Sequence, residues 1–347
     1  MDSETLPLII GYHARKTGVK TYEEAYRRAA QMVVEELPNV IPCVALFISG
    51  PRNTRLNINP RTADALGSRP KLPLRGEPTG ELLFHASYLD LPWATSEMSY
   101  GALSAPSAPQ LPGTLSVPSS PMSYDVPNAS SSSQSANAGA EDAVFARIDA
   151  MIEVCAQSRA DVVIHGGSHI FDSTFTHPIL ARMSRSLDKV WQKMHPPRMP
   201  RIFIETMAHD GRFASPNALN TIFDDQSVLW HEPGHEERGN IGLCIDTAHI
   251  WAAGANIASR EDCAEWLQAI RTDIPVAMHL NDSKEVIGTH TDEHTTLGHG
   301  EIWSLSDGYV AALNWCRERH APVILERNDV PEQEARADLA TIRLKLF

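Results

Sequence analysis

The sequence predicts an α/β protein folded as a single closed (β/α)₈ TIM barrel. Three observations carry that expectation. Eight short runs rich in β-branched and apolar residues recur along the chain, helical stretches fill the gaps, and most runs end on an ionisable residue. Near-continuous apolar strands separated by helices indicate a parallel sheet covered on its outer face, and eight such strands close a barrel. A doubly wound open sheet is the other arrangement of the same elements.

In order, the first run, Leu6–His13, precedes the amphipathic stretch Tyr22–Leu37, and the second is Pro42–Ser49. The third, Glu81–Tyr88, is followed after a long gap by the helical stretch Asp142–Ser158 and the fourth run, Asp161–Ser168. Helix Ile179–Met194 leads to Arg201–Ala208, then come Ile241–His249, helix Arg260–Thr272 and Pro275–Asp282. Helix Asp307–Arg319, run Pro322–Asp329 and helix Pro331–Lys345 complete the series. The long gap holds a segment of different character. Residues 101–140 contain eleven serines, seven alanines and six prolines with Asp125 as the one charged side chain. Such a composition buries too little apolar surface to offset its ordering entropy, so it reads as a disordered Ser/Pro/Ala-rich insertion within one domain spanning 1–347. Because it leaves the C-terminal end of a strand, it is expected on the catalytic face.

Composition excludes several classes. With 347 residues, an apolar fraction of 42% and no uninterrupted apolar stretch approaching about 20 residues, the chain is neither a disulfide scaffold nor membrane-spanning. The acidic start and five scattered cysteines without a CxxC pair read as an intracellular protein with free thiols. Thirty Lys plus Arg against 43 Asp plus Glu leaves a net charge of −13, which by itself argues against a polyanionic partner.

His13, His85, His165, Glu205, Asp246, His279 and Glu326 lie at or near the ends of seven different runs, where a barrel gathers its active site. Taken singly, each is more simply a satisfied cap than a ligand. Together with the short pairs Asp246/His249 and Asp292/His294 they supply nine metal-ligand candidates: His85, His165, Glu205, Asp246, His249, His279, Asp292, His294 and Glu326. Imidazole and carboxylate without thiolate suit Zn²⁺ or a similar first-row ion, and nine ligands exceed the needs of one. A multinuclear site of this kind suits phosphate-ester hydrolysis. No GxSxG elbow, P-loop or GxGxxG offers a competing chemistry.

These motifs resemble the endonuclease IV family, the type-2 apurinic/apyrimidinic endonucleases. The resemblance rests on Ile10-Gly11-Tyr12-His13, Phe84-His85-Ala86-Ser87-Tyr88-Leu89, Ile164-His165-Gly166-Gly167-Ser168-His169 and Ile204-Glu205-Thr206. It continues through Cys244-Ile245-Asp246-Thr247-Ala248-His249, His279-Leu280-Asn281-Asp282-Ser283-Lys284, Asp292-Glu293-His294 and Ile324-Leu325-Glu326. It implies a TIM barrel holding three zinc ions, with manganese an alternative at one or more sites, that cuts duplex DNA 5′ to abasic sites and leaves a 3′-hydroxyl. By position, His85, His165 and Glu205 would hold the first ion. Glu205 would bridge to a second held by Asp246, His279 and Glu326, and His249, Asp292 and His294 would hold the third. Glu205 and Glu326 are then the catalytic carboxylates, Glu326 orienting the attacking water. Arg52, Tyr88 and Leu89 match positions that enter the DNA at the lesion, and Lys284 adds to a local positive face. The partner implied is abasic duplex DNA, met by a monomer without a membrane.

Four departures bear on DNA contact rather than hydrolysis. Glu293 stands where the family usually has Arg, Gly166-Gly167 carries Gly for Pro, Thr206 and its followers replace an Asn, and His299 replaces a Glu. His13, His169, His209 and His299 are candidates to orient ligands, whereas His177, His195, His231, His235 and His320 read as surface residues. A metal-dependent sugar isomerase or epimerase on the same barrel is the alternative enzyme, and a non-catalytic DNA-binding relative the alternative outside enzymes. The His249, Asp292 and His294 set, which an isomerase does not need, separates them.

Overall fold

A computed structural model describes residues 6–14, 18–49, 56–69, 80–86, 132–226, 229–231, 239–327 and 332–346, without the side chains of 132–142 and 168. Each of the eight runs contributes one barrel strand. They are β1 (Leu8–His13), β2 (Val40–Phe47), β3 (Glu81–His85), β4 (Asp161–His165), β5 (Ile202–Glu205), β6 (Ile241–Asp246), β7 (Val276–His279) and, after a short hairpin, β10 (Val323–Leu325). The hairpin pairs β8 (Asp282–Ser283) antiparallel with β9 (His294–Thr295). All eight barrel pairings are parallel, and β10 closes onto β1 with Gly11 opposite Ile324.

Alternation along the strands divides the core into two layers. Ile9, Cys43, Ala45, Leu83, Val163, Phe203, Cys244, Ala277 and Ile324 pack on one another as a separate buried cluster inside the barrel. The other strand faces meet the helices in the larger outer cluster. Gly11 is required by this closure: a Cβ there would lie 1.4 Å from the Cys43 carbonyl oxygen on β2.

The helices are α1 (Tyr22–Glu36), α2 (Pro60–Gly67), α3 (Ser132–Ser158), α4 (Ser173–Met194), α5 (Pro216–Thr221), α6 (Thr247–Ala253), α7 (Arg260–Gln268), α8 (Gly308–Arg319) and α9 (Glu332–Leu346). Capping sets several starts: the Thr21 side chain accepts from Glu24 N at 3.1 Å, and Glu24 reaches back to Lys20 N at 2.9 Å. Several boundaries differ from the sequence reading: α4 begins at Ser173 rather than Ile179, α7 ends at Gln268 rather than Thr272, and most strands stop short of the ends of their runs. Helix α3 begins at Ser132 rather than Asp142, so the last nine residues of the 101–140 segment are helical. Those nine residues contain no proline, so none of them breaks the i→i−4 hydrogen-bond ladder that extends α3 toward its N-terminus. The sixth run ends as a strand at Asp246, and His249 lies on α6 instead.

Candidate metal centre

Six of the candidate ligands owe their position to where a barrel strand stops. His85, His165, Glu205, Asp246 and His279 are the last residues of β3 to β7, and Glu326 follows β10 directly. Register places His165 opposite Glu205 and Asp246 opposite His279, so these side chains share one rim. Asp246 also caps α6: one carboxylate oxygen accepts from His249 N at 2.9 Å, and this turn sets His249 beside the rim. His294 comes from β9, tied to Ser283 of β8, and Asp292 from the loop before it.

Two groups of convergent ligand atoms result, His85, Glu205, His279 and Glu326 in one and Asp246, His249 and His294 in the other. Asp292 joins the second group, its oxygens 3.2 Å from His249 Nε2 and 3.0 Å from His294 Nε2. His165 joins the first, with Nε2 3.4 Å from Glu205 Oε2. The groups adjoin, His249 Nδ1 lying 3.8 Å from Glu205 Oε1 and His279 Nδ1 3.8 Å from Asp246 Oδ2. All nine expected ligands therefore meet at one mouth of the barrel.

The histidine tautomers follow from backbone contacts. A carbonyl can only accept, so His85 Nδ1–H donates to Ala86 O at 3.0 Å, His249 to Thr206 O at 2.6 Å and His294 to Glu326 O at 2.8 Å. Each then turns Nε2 toward carboxylate oxygens, that of His85 being 3.3 Å from Glu205 and 3.4 Å from Glu326. His279 Nδ1 lies 2.8 Å from both Glu205 and Glu326. Lone pairs cannot face each other at this range unless a proton or cation lies between them. His85 Nε2, His294 Nε2, Glu205 Oε2 and Glu326 Oε1 are buried without a hydrogen bond, which is how atoms shaped for an ion stand. Hard oxygen and borderline imidazole donors without thiolate fit zinc or manganese.

The protonation energetics agree. Burial pulls His294 down, but Asp246 and Asp292 outweigh it and raise its pKa to about 9. His249 is raised well above its usual value, burial again being overcome by Asp246 and Asp292. Burial pushes Glu205 and Glu326 up, but neighbouring histidines, His279 first, hold both far below the ordinary carboxyl range. His165 is dominated by burial and falls to about 4.

The surrounding residues answer the remaining expectations unevenly. His13 is buried against Phe47 and His85, its Nδ1 3.5 Å from Glu326 Oε1. His169 packs tilted against Phe175 and His209 edge-on to Phe213, while His299 is exposed on the turn after β9. Of the expected surface histidines, His195 and His320 are exposed, His177 and His231 are half-buried, and His235 lies outside the described residues. Lys284 does not stand free: Nζ is 3.3 Å from Glu293, the acid found where the family usually has Arg. Arg52, Tyr88 and Leu89 also lie outside the described residues.

Sequence reasoning assigned no role to Asn281 or Thr247, which sit among the ligands, nor to Thr206, whose hydroxyl accepts from Asp246 N at 3.0 Å. Their signal was a polar side chain at a strand end, which alone is too common to single out. Asp282, equally unassigned, is buried and accepts from the backbone N–H groups of Ser283, Gly298, Gly300 and Ile302, fixing the loop after β9.

The family model of xylose isomerase-like TIM barrels matches residues 120–344. A relative from African swine fever virus named Probable AP endonuclease is 39% identical over 100 residues, covering 25% of this chain and 34% of its own. A Mycobacterium tuberculosis relative named Probable endonuclease 4 is 31% identical over 195 residues, covering 55% of this chain and 67% of its own. The chain thus spans between about a third and two thirds of the length of these two relatives. The crystal structure of endonuclease IV from Thermus thermophilus superposes with a TM-score of 0.59 at 19% identity, over 97% of this chain and 98% of that one. A barrel of this topology, with matches of this extent, places the chain in the endonuclease IV family of xylose isomerase-like TIM barrels.

Proposed function

We propose that the protein is a metal-dependent DNA-repair endonuclease that hydrolyses the phosphodiester 5′ to abasic sites in duplex DNA and leaves a 3′-hydroxyl. The reading is carried by the convergence of nine nitrogen and oxygen ligands in two adjoining groups, more than one ion can use. Relatives named AP endonuclease and endonuclease 4 support the substrate. A sugar isomerase needs no third ligand set, so His249, Asp292 and His294 favour the nuclease.

Three ions, zinc or in part manganese, would be held by His85, His165 and Glu205, by Glu205, Asp246, His279 and Glu326, and by His249, Asp292 and His294. Such ions supply Lewis acidity that activates water and neutralises charge on the attacked phosphate and the departing oxygen. Glu326 presents a buried oxygen without a hydrogen bond toward the centre and would orient the attacking water. Glu205 faces His85, His165 and His279 at once and would hold both halves of the first group in register. Arg52, Tyr88 and Leu89 would occupy the gap at the lesion, where the missing base makes extrusion of the nucleotide less costly. Residues 101–140 would form an insertion beside the DNA path of a single monomeric domain. Since Lys284 is offset by Glu293 and the chain carries −13, affinity for undamaged DNA would be low.

Incubation with a duplex oligonucleotide carrying one tetrahydrofuran residue, alongside metal analysis of the same preparation, tests the proposal. One chelator-sensitive cut 5′ to the lesion, giving an end that a polymerase extends, is expected. A preparation with about three bound ions per chain that leaves the duplex intact would refute it.

A further inference from the structure

We propose that Asn281 is a positioning residue that couples the two ligand groups, so that loss of its amide weakens metal binding at both. The inference rests on the reading of these groups as metal sites. Asn281 Nδ2 donates to Asp246 Oδ2 at 2.6 Å, and Oδ1 accepts from Glu326 N at 2.9 Å. Asp246 belongs to one group and Glu326 to the other. One side chain therefore orients a carboxylate in the second and anchors the backbone that carries a carboxylate in the first. Glu326 passes the link on, since its own carbonyl accepts from His294 Nδ1 of the second group at 2.8 Å.

The amide is the group this position needs. Only one of its two orientations sets the oxygen against an N–H and the nitrogen against a carboxylate. Its backbone is fixed in turn by Thr247, whose hydroxyl donates to Asn281 O at 2.7 Å and accepts from Asn281 N at 2.8 Å. Asn281 and Thr247 are both buried, so water cannot replace the lost partners. Neither residue is a ligand. Thr247 follows Asp246 directly in sequence, so its clamp on Asn281 closes a ring of contacts that passes through Asp246 alone of the second group.

The experiment measures zinc stoichiometry and affinity by competition with a chromophoric chelator, without DNA, in the wild type, Asn281→Ala, Asn281→Asp, Thr247→Val and Thr247→Ser. Asn281→Ala should lower affinity about 10–100-fold in both tight and weak binding phases, the usual effect of losing a partner behind a ligand. Asn281→Asp keeps the acceptor for Glu326 N but turns a carboxylate on Asp246, so it should not rescue. Thr247→Ser should retain zinc and Thr247→Val should lose it, and this pair decides the matter if the Asn281 variants do not fold. Wild-type affinity in Asn281→Ala, full rescue by Asp, or equal behaviour of the two Thr247 variants would overturn the coupling. A wild type that binds no divalent ion would instead remove the metal reading on which it rests.

Discussion

Removing metal from this site should reverse the way stability depends on pH. In the metal-free protein a proton must sit where an ion would, because His249 and His294 aim Nε2 at carboxylate oxygens 3.2 and 3.0 Å away. The pKa of His294 is raised from 6.5 to about 9, so folding is favoured by protonation. That contribution is fully present below pH 6.5 and is lost as pH rises through 9. At about 1.4 kcal/mol per pKa unit the loss is about 3 kcal/mol from His294 alone, and the raised His249 and His279 add to it. In the metal-loaded protein protons compete with the ion for the same lone pairs, so stability should rise over the same interval. Urea unfolding of chelator-treated and zinc-loaded protein at several pH values between 6 and 9 measures both slopes. A metal-free protein as stable at pH 9 as at pH 6.5, or a slope unchanged by His294→Ala, would refute the reasoning.

Three further outcomes are expected. Glu326→Gln should lower incision of abasic duplex by about 10²–10⁴-fold in single-turnover assays while circular dichroism stays native, because the backbone contacts of Glu326 with Asn281 and His294 do not use its side chain. Glu293→Ala frees Lys284 and removes one negative charge, so DNA affinity at low salt should tighten and the slope of log K against log salt should steepen by about 1; fluorescence anisotropy across a salt series reads both. Gly11→Ala should cost about 3 kcal/mol or more, since the new methyl meets the Cys43 carbonyl and the barrel must open to admit it, a loss that thermal melting would register.

The barrel was legible because its signals are local and repeat. Each strand is a short apolar run, and six of the eight runs carry a candidate ligand at or near their end, so Glu205 and Asp246 could be placed at a rim before any pairing was known. The tautomers of His85, His249 and His294 were not legible, because they depend on backbone carbonyls of Ala86, Thr206 and Glu326 that only the fold brings near. Asn281 escaped for the same reason: its worth lies in contacts with residues 35 and 45 positions away. The pairing of Lys284 with Glu293 depends on the β8–β9 hairpin, which is too short to give a periodic signal. The start of α3 was not legible because a window dominated by Ser and Pro masks a helical end that has no proline.

All five cysteines are free and buried, and burial pushes the thiols of Cys244 and Cys263 up to about 12 and raises Cys43, Cys155 and Cys316 as well. Thiolate is the form that alkylates and captures soft metals, so the native chain offers almost none. Its labelling by a chromogenic disulfide should wait for the barrel to open, giving an internal clock for global unfolding that needs no introduced probe. The same sequestration would leave any divalent ion at the rim without a competing sulfur ligand while the protein remains folded.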